Sequence, residues 1–282
     1  MLNRKVKIDE QPNASHSTIA ASHKKQASNT QLPVWTHAFG SHPTTGLTPL
    51  SPVVQRQPQS NTQTQKAKTL KDMGIIARDP VASNTPRVID EVFKRNKTVA
   101  TYVADRLTQG REIAEKGKFI VHNTKQDFDN AFKKYSGQTP DASTTGFFWE
   151  TEKLGKTVKV RDEIHLPPDA TFGTAFHEAA HKMSAVISSY LSDDPDFAFV
   201  VNEGLTSWFS KRILEDEGVN DYIDGYSRQR KRADKLINSV GFDTVANWYW
   251  KSERGDLLKK LGVKAKSKDE SKQVIAELKK IM

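Results

Sequence analysis

The polar character of the first 68 residues limits how much of this 282-residue chain can fold. This stretch is rich in Ser, Thr, Asn, Gln and Pro and shows neither helical nor strand periodicity. Such a segment cannot bury enough apolar surface to offset the entropy lost on ordering. We therefore expect residues 1–68 to be a disordered leader, residues 69–265 to be a folded domain and residues 266–282 to be a helical tail.

The pattern after the leader predicts short strands followed by helices. Two strands, GFFWE and TVKVRDEIHL, are expected to be joined by a turn at Gly155, after an earlier strand at KFIVHN and a helix with Thr124 as its N-cap. After Pro168 the spacing of apolar residues is helical. The helices predicted there cover 170–189, 195–216, 222–240 and 242–251. A small antiparallel sheet followed by a mainly helical body is an α+β fold.

Composition excludes several kinds of protein. The chain has no cysteine, so a metal ion could be held only by His, Asp or Glu. No apolar run approaches the roughly 20 residues that span a bilayer, and no apolar segment follows the basic start as in a secretory signal peptide. The net charge is +9, and five basic residues lie within 228–235. This pattern favours a solvated basic surface over binding to nucleic acid or an acidic partner.

Two histidines four positions apart stand in the sequence AFHEAAHKMS, residues 175–184. On a helix, His177 and His181 lie on one face and can direct two imidazoles at one ion. Glu178 lies at the edge of that face, where it can reach a water molecule at the metal without binding the metal itself. The apolar flanks indicate a helix with one buried side, where two histidines need polar partners. The motif therefore predicts a metal site.

A catalytic zinc site needs a third protein ligand as well as an open position. The glycine and histidine that continue this motif in metzincins are absent, because Ser184 and Ile187 occupy those positions. Glu203, at the start of the next predicted helix, is the candidate third ligand. Other carboxylates in the preceding loop are the alternatives: Asp193, Asp194 and Asp196.

The combination of His177-Glu178-x-x-His181 with the later Asn-Glu-Gly sequence at 202–204 resembles the gluzincins, zinc metallopeptidases whose third ligand is glutamate. The resemblance covers roughly residues 145–262 and implies a zincin body, a Zn²⁺ cofactor and a peptide or protein substrate. It also implies that a tyrosine hydroxyl stabilises the carbonyl oxygen, with Tyr226 the choice and Tyr222 the alternative. Thermolysin-like members carry an aspartate where this chain has Ser207, so the partner that orients the histidines is not predicted.

Two further expectations concern the strand TVKVRDEIHL. The resemblance implies that it is an edge strand that binds the substrate backbone by strand addition. His165, at its end, could line the cleft, but the sequence favours an ordinary surface histidine there.

Two functions of different classes follow from the motif. The leading one is a zinc-dependent endopeptidase with Glu178 as general base. The alternative is a zinc-binding protein without catalytic activity that uses its basic surface to bind an acidic partner or nucleic acid. Glu178 favours catalysis, because a purely structural site has no need of it.

The leader suggests how such an enzyme is used. Its polar, basic composition resembles the leaders of effectors, including toxins, that are loaded into bacterial contractile injection systems. That resemblance implies a secreted or injected protein that leaves the cell by a non-classical route and contacts the particle through residues 1–68. The alternatives are an inhibitory pro-segment and an unstructured tail on a cytoplasmic protein.

Overall fold

The computed structural model describes residues 68–140, 144–154, 157–184, 190–222 and 225–282, with residues 150–154 and 157–161 described by their backbone only. The leader predicted for residues 1–68 therefore lies almost entirely outside the described residues, as does the turn at Gly155. The described strands are β1 Phe119–Val121, β2 Phe147–Leu154 and β3 Thr157–Leu166. The described helices are α1 Thr85–Arg95, α2 Ala100–Thr108, α3 Lys125–Ser136, α4 Phe172–Met183, α5 Pro195–Asp216, α6 Ser227–Val240, α7 Phe242–Lys251, α8 Gly255–Leu261 and α9 Glu270–Ile281.

The described chain is a mixed α/β structure that is mostly helical, with a small three-stranded sheet. The sheet has the order β1-β3-β2. Strand β2 is antiparallel to β3, as expected for a hairpin, but β1 is parallel to β3. The prediction of a purely antiparallel sheet was therefore wrong. A crossover through α3 carries the chain from β1 to the far side of β3, and such a connection permits parallel pairing.

Strand β3 lies in the centre of the sheet. Strand β1 pairs with β3 only at Ile164, His165 and Leu166, whereas β2 runs along most of the strand. The expectation that TVKVRDEIHL forms an edge strand was therefore wrong for its last three residues, which are paired on both sides. Strand β2 holds an edge instead, and its register places Phe147 opposite His165. Hydrophobic alternation along a strand identifies its buried face but does not identify its neighbours.

Helix α4, which carries the histidine motif, is buried along most of its length. The Thr171 hydroxyl caps its first turn by accepting the Thr174 N–H at 3.3 Å. The helix ends at Met183, and the hydroxyl of the next residue, Ser184, donates to the His181 carbonyl at 2.8 Å. The sequence predicted a longer helix, over 170–189, and residues 185–189 of it lie outside the described part of the chain. Burial on both sides fixes α4 between the sheet and the other helices.

Helix boundaries elsewhere follow local chemistry. Predicted bounds agree with the structure for α5 and α7, and Thr124 caps α3 by accepting the Asp127 N–H. Helix α6 begins at Ser227 rather than at residue 222. Just before the predicted start, the Asp221 carboxylate accepts the Ala77 N–H at 3.1 Å.

One hydrophobic core joins the sheet, α4 and the later helices. Aromatic side chains form its centre: Phe93 stacks on Phe176 at 5.2 Å, and Phe209 stacks on Tyr249 at 5.0 Å between ring centroids. The predicted C-terminal tail is helical, as α9, and its Leu278 belongs to the same core. None of the helices in the described part of the chain has the length and apolar character that a membrane crossing requires.

Candidate metal centre

The three residues predicted as ligands lie together in the structure. His177 and His181 come from α4, and Glu203 comes from α5. Their donor atoms all lie within 4.8 Å of one another, and the group could hold a metal ion. Among the described residues, this is the one group of three or more His, Cys, Asp or Glu residues whose donor atoms lie this close together. Of the alternative carboxylates, Asp194 serves a different purpose, because it caps α5 by accepting the Phe197 N–H at 3.0 Å.

The spacing of the donor atoms fits a tetrahedral ion. The two imidazole Nε2 atoms are 3.2 Å apart, and the Glu203 carboxylate oxygens lie 3.2 Å from His177 Nε2 and 3.4 Å from His181 Nε2. Ligands about 2.0–2.1 Å from a tetrahedral zinc ion are separated by roughly 3.4 Å. Two imidazole lone pairs that face each other at this distance repel unless a proton or a cation lies between them. The donor set therefore fits a divalent cation.

The Thr206 hydroxyl fixes the orientation of His181. It donates to the Asn202 carbonyl at 2.8 Å and lies 3.1 Å from His181 Nδ1. Because its single proton is used on Asn202, the hydroxyl accepts from His181 Nδ1–H, which leaves the Nε2 lone pair directed at the donor cluster. The Tyr249 hydroxyl lies 2.6 Å from Thr206 Oγ1, and burial raises the pKa of Tyr249, so this phenol keeps a proton to donate. The Asn202 amide nitrogen lies farther from His181 Nδ1, at 3.4 Å.

The two tyrosines considered in the sequence occupy different places around His177. The Tyr222 hydroxyl lies 3.3 Å from His177 Nδ1, the ring nitrogen on the side away from the donor cluster. This contact orients the imidazole. The Tyr226 ring instead stacks on the His177 ring, with 5.4 Å between centroids and 11° between planes. Tyr226 is the residue that precedes α6, so the start of that helix fixes its position.

The Glu178 side chain is buried beside the cluster. It is not one of the three donor residues, and it is not part of the hydrophobic core. The Phe148 N–H, from the start of β2, donates to its carboxylate. Gly146 approaches so closely that a Cβ atom there would lie 2.9 Å from Glu178 Cγ. The absence of a side chain at Gly146 therefore allows strand β2 to cover this carboxylate.

The two carboxyl groups of the site have opposite electrostatic environments. Burial raises the pKa of Glu178 to about 7, opposed by the charge of His177 and reinforced by that of Glu203. Burial alone would also raise the pKa of Glu203, but the charges and hydrogen bonds of His181 and His177 outweigh it and hold that pKa well below its usual range. Glu203 is therefore a permanent anion suited to binding a cation. Glu178 can take up and release a proton near neutral pH, as a general base must.

His165 is buried, and the prediction of a surface histidine was wrong. Its side chain is 3% exposed and stacks on Phe147 with 4.6 Å between centroids. Its Nδ1 lies 3.1 Å from His122 Nε2, and its Nε2 lies 3.3 Å from the Glu163 carboxylate. The Tyr135 hydroxyl donates to the same carboxylate at 3.0 Å. This polar chain joins α3 to the sheet and supports the strand that covers Glu178.

Sequence reasoning assigned no role to several residues of the site. Asn202 and Thr206 flank Glu203 in the predicted helix, and the three-residue step from Glu203 to Thr206 is a signal that they share a face. Tyr249 and Gly146 gave no such signal, because they approach the site from distant parts of the chain. Only the packed structure brings them there.

No family model, curated protein or solved structure matches this chain. The fold and the donor cluster define a mixed α/β protein with a group able to bind a metal ion.

Proposed function

We propose that this chain is a zinc-dependent endopeptidase of the gluzincin type. The observation that carries the proposal is the Glu178 carboxyl group, buried beside three convergent donors, outside the donor set, and with its pKa raised by burial to about 7. A site that only stabilises structure does not need a proton acceptor in this position. The His₂Glu donor set is one that hydrolytic zinc sites use, and it leaves a position for water and substrate.

His177, His181 and Glu203 would hold the zinc ion, which when bound polarises a carbonyl group and activates water. Glu178 takes the proton from the attacking water and passes it to the leaving amine. The Tyr226 hydroxyl donates a hydrogen bond to the carbonyl oxygen as negative charge develops there. Tyr222 and Thr206 hold the two imidazoles in place.

Substrate binding by strand addition is assigned to β2 rather than to β3. Strand β2 lies at an edge of the sheet, and the backbone at Phe148 contacts the carboxylate of Glu178. An extended peptide on that edge would pass beside the general base. Backbone hydrogen bonds of this kind hold a peptide with little dependence on its side chains.

The test measures zinc content and peptide cleavage on the same preparations of the full chain. We expect Glu178→Gln to abolish turnover and keep its zinc. The zinc affinity of Glu203→Ala should fall by more than 10- to 100-fold, which is the loss typical of replacing a residue that only hydrogen-bonds to a metal ligand. Tyr226→Phe should keep its zinc and lose about 10²–10³-fold in kcat.

Glu91→Gln is the matched control, because Glu91 is exposed on α1. This variant should have the zinc content and the peptide cleavage rate of the wild-type protein. Removal of the metal by a chelator should abolish cleavage, and added zinc should restore it. If the wild-type protein binds zinc but cleaves nothing in a broad peptide library, the peptidase proposal fails in favour of a metal-binding protein without catalytic activity.

A further inference from the structure

Phe199 is the most exposed of four large apolar side chains that lie at the surface of the described residues, with Met73, Ile76 and Val121. Its relative exposure is 50%, whereas the core residues on the same helix are almost fully buried, such as Val201 and Leu205. Phe199 lies four residues before Glu203 on α5, so the two share a face one helical turn apart. The exposed ring therefore lies beside the donor cluster.

The position of Phe199 is fixed. Helix α5 begins with Pro195, and the Asp194 carboxylate caps its first turn. Lys279 of α9 pairs with the other oxygen of that carboxylate at 2.5 Å. Phe197, two residues before Phe199, is buried in the core. Phe199 is thus presented to solvent from an anchored helix rather than from a frayed end.

Three rings form a continuous wall from solvent to the metal ligands. Phe199 meets Tyr226 edge to face, with 6.4 Å between centroids and 68° between planes. Tyr226 in turn stacks on His177. Aromatic side chains contribute strongly to binding, because they bury a large apolar area and pair with other rings edge to face or offset. Phe199 and Tyr226 therefore offer ring surface that adjoins the His177 imidazole.

We propose that Phe199 and Tyr226 bind an aromatic or large aliphatic side chain of the substrate, on a residue next to the bond that is cleaved. This inference rests on the proposed peptidase function and narrows its substrate to peptides with such a residue at that position. Phe199 is then a residue that determines specificity. The role of Tyr226 toward the carbonyl oxygen is unchanged, since that role uses its hydroxyl and this one uses its ring.

The experiment uses the full zinc-loaded chain and a set of peptides with one sequence, in which the residue on either side of the cleaved bond is Phe, Leu, Gly or Asp. We expect the wild-type protein to prefer Phe and Leu over Gly by at least about tenfold in kcat/KM. Phe199→Ala should reduce that preference by about tenfold, mainly through KM, and leave the Gly peptide and the zinc content unchanged. Phe199→Leu should retain most of the preference. Val121→Ala is the matched control, because Val121 is also exposed but lies on β1.

Binding of the same peptides to zinc-loaded Glu178→Gln protein separates this inference from the proposed function. If the wild-type protein cleaves nothing, the peptidase proposal fails. If Glu178→Gln protein binds the Phe and Gly peptides equally, the assignment of Phe199 is overturned, whatever the activity. If Phe199→Ala lowers kcat/KM by the same factor for every peptide, the assignment of Phe199 is also overturned, because that result indicates a structural role.

Discussion

At the scale of single residues, the site depends on groups that hold the ligands as much as on the ligands. Thr206 has one proton and three polar neighbours, so the direction of its hydroxyl decides which nitrogen of His181 carries a proton. A histidine in the wrong tautomer would present N–H, rather than a lone pair, to a cation. Metal affinity should therefore be sensitive to a residue that does not touch the metal.

Thr206→Val tests this dependence. The substitution keeps the side-chain volume but removes the hydroxyl, so zinc affinity should fall about 10- to 100-fold. Tyr249→Phe is the graded control, because it removes the contact to Thr206 but leaves the Thr206–His181 contact in place. Competition with a chelator of known affinity measures both variants. An equal loss of zinc affinity in Thr206→Val and Tyr249→Phe would contradict the role given to Thr206.

Gly146 controls the general base by its lack of a side chain. A Cβ atom there would lie 2.9 Å from Glu178 Cγ and 3.0 Å from Leu166 Cδ2. Gly146→Ala should displace the Glu178 carboxylate and lower kcat by up to about 10²-fold, because small misplacements of catalytic groups are costly. Zinc content should stay unchanged. In Gly255→Ala, a matched control with open space around the added methyl group, kcat should be unaltered.

At the scale of elements, the close crossing of α5 and α6 places Glu203 and Tyr226 in the same site. A Cβ atom on Gly204 would lie 2.6 Å from the Gln229 carbonyl oxygen, which belongs to the backbone of α6 and cannot rotate away. The glycine in the Asn-Glu-Gly sequence therefore has a packing role. It sets the distance between the helix that carries a metal ligand and the helix that follows Tyr226.

Gly204→Ala should move these helices apart. Alanine favours a helix over glycine by about 1 kcal/mol, but the clash with backbone costs about 1–3 kcal/mol, so we expect a net loss of stability. Zinc affinity should also fall, since Glu203 is adjacent. Urea unfolding and zinc titration measure the two effects, with Gly255→Ala as the control. A more stable Gly204→Ala protein would show that the crossing is looser than the structure indicates.

At the scale of the whole molecule, stability depends on keeping the buried His165 neutral. Burial is the main cause that lowers the pKa of His165 from 6.5 to about 4, and the nearby charges of His122 and Lys134 act in the same direction. The Glu163 carboxylate opposes them. The folded protein therefore binds a proton at this site less readily than the unfolded chain does.

Stability should fall as the pH decreases. With a lowered folded-state pKa, the contribution of His165 is fully present above pH 6.5 and is lost between pH 6.5 and about 4. The loss amounts to up to about 3 kcal/mol of unfolding free energy. His165→Gln should be less stable than wild type at pH 7 and should lose less over this interval. Unfolding by urea from pH 7 to pH 4, in the presence of a chelator, measures the difference, and parallel curves would contradict it.

The sequence by itself determined those features that depend on neighbours within a few positions. His177, Glu178 and His181 are placed by helical periodicity alone, and the cap at Thr124 and the bounds of α5 and α7 follow from local hydrogen bonding and apolar spacing. Glu203 was predicted as the third ligand from its place in the helix that follows the histidine motif. Only the tertiary structure decided that β3 is central, that β2 covers Glu178, that His165 is buried and that Tyr249 reaches Thr206. These contacts join segments that are far apart in the sequence. They form because folding buries apolar surface, and this driving force has no direction, so a short stretch of sequence does not show which distant segment it will pack against.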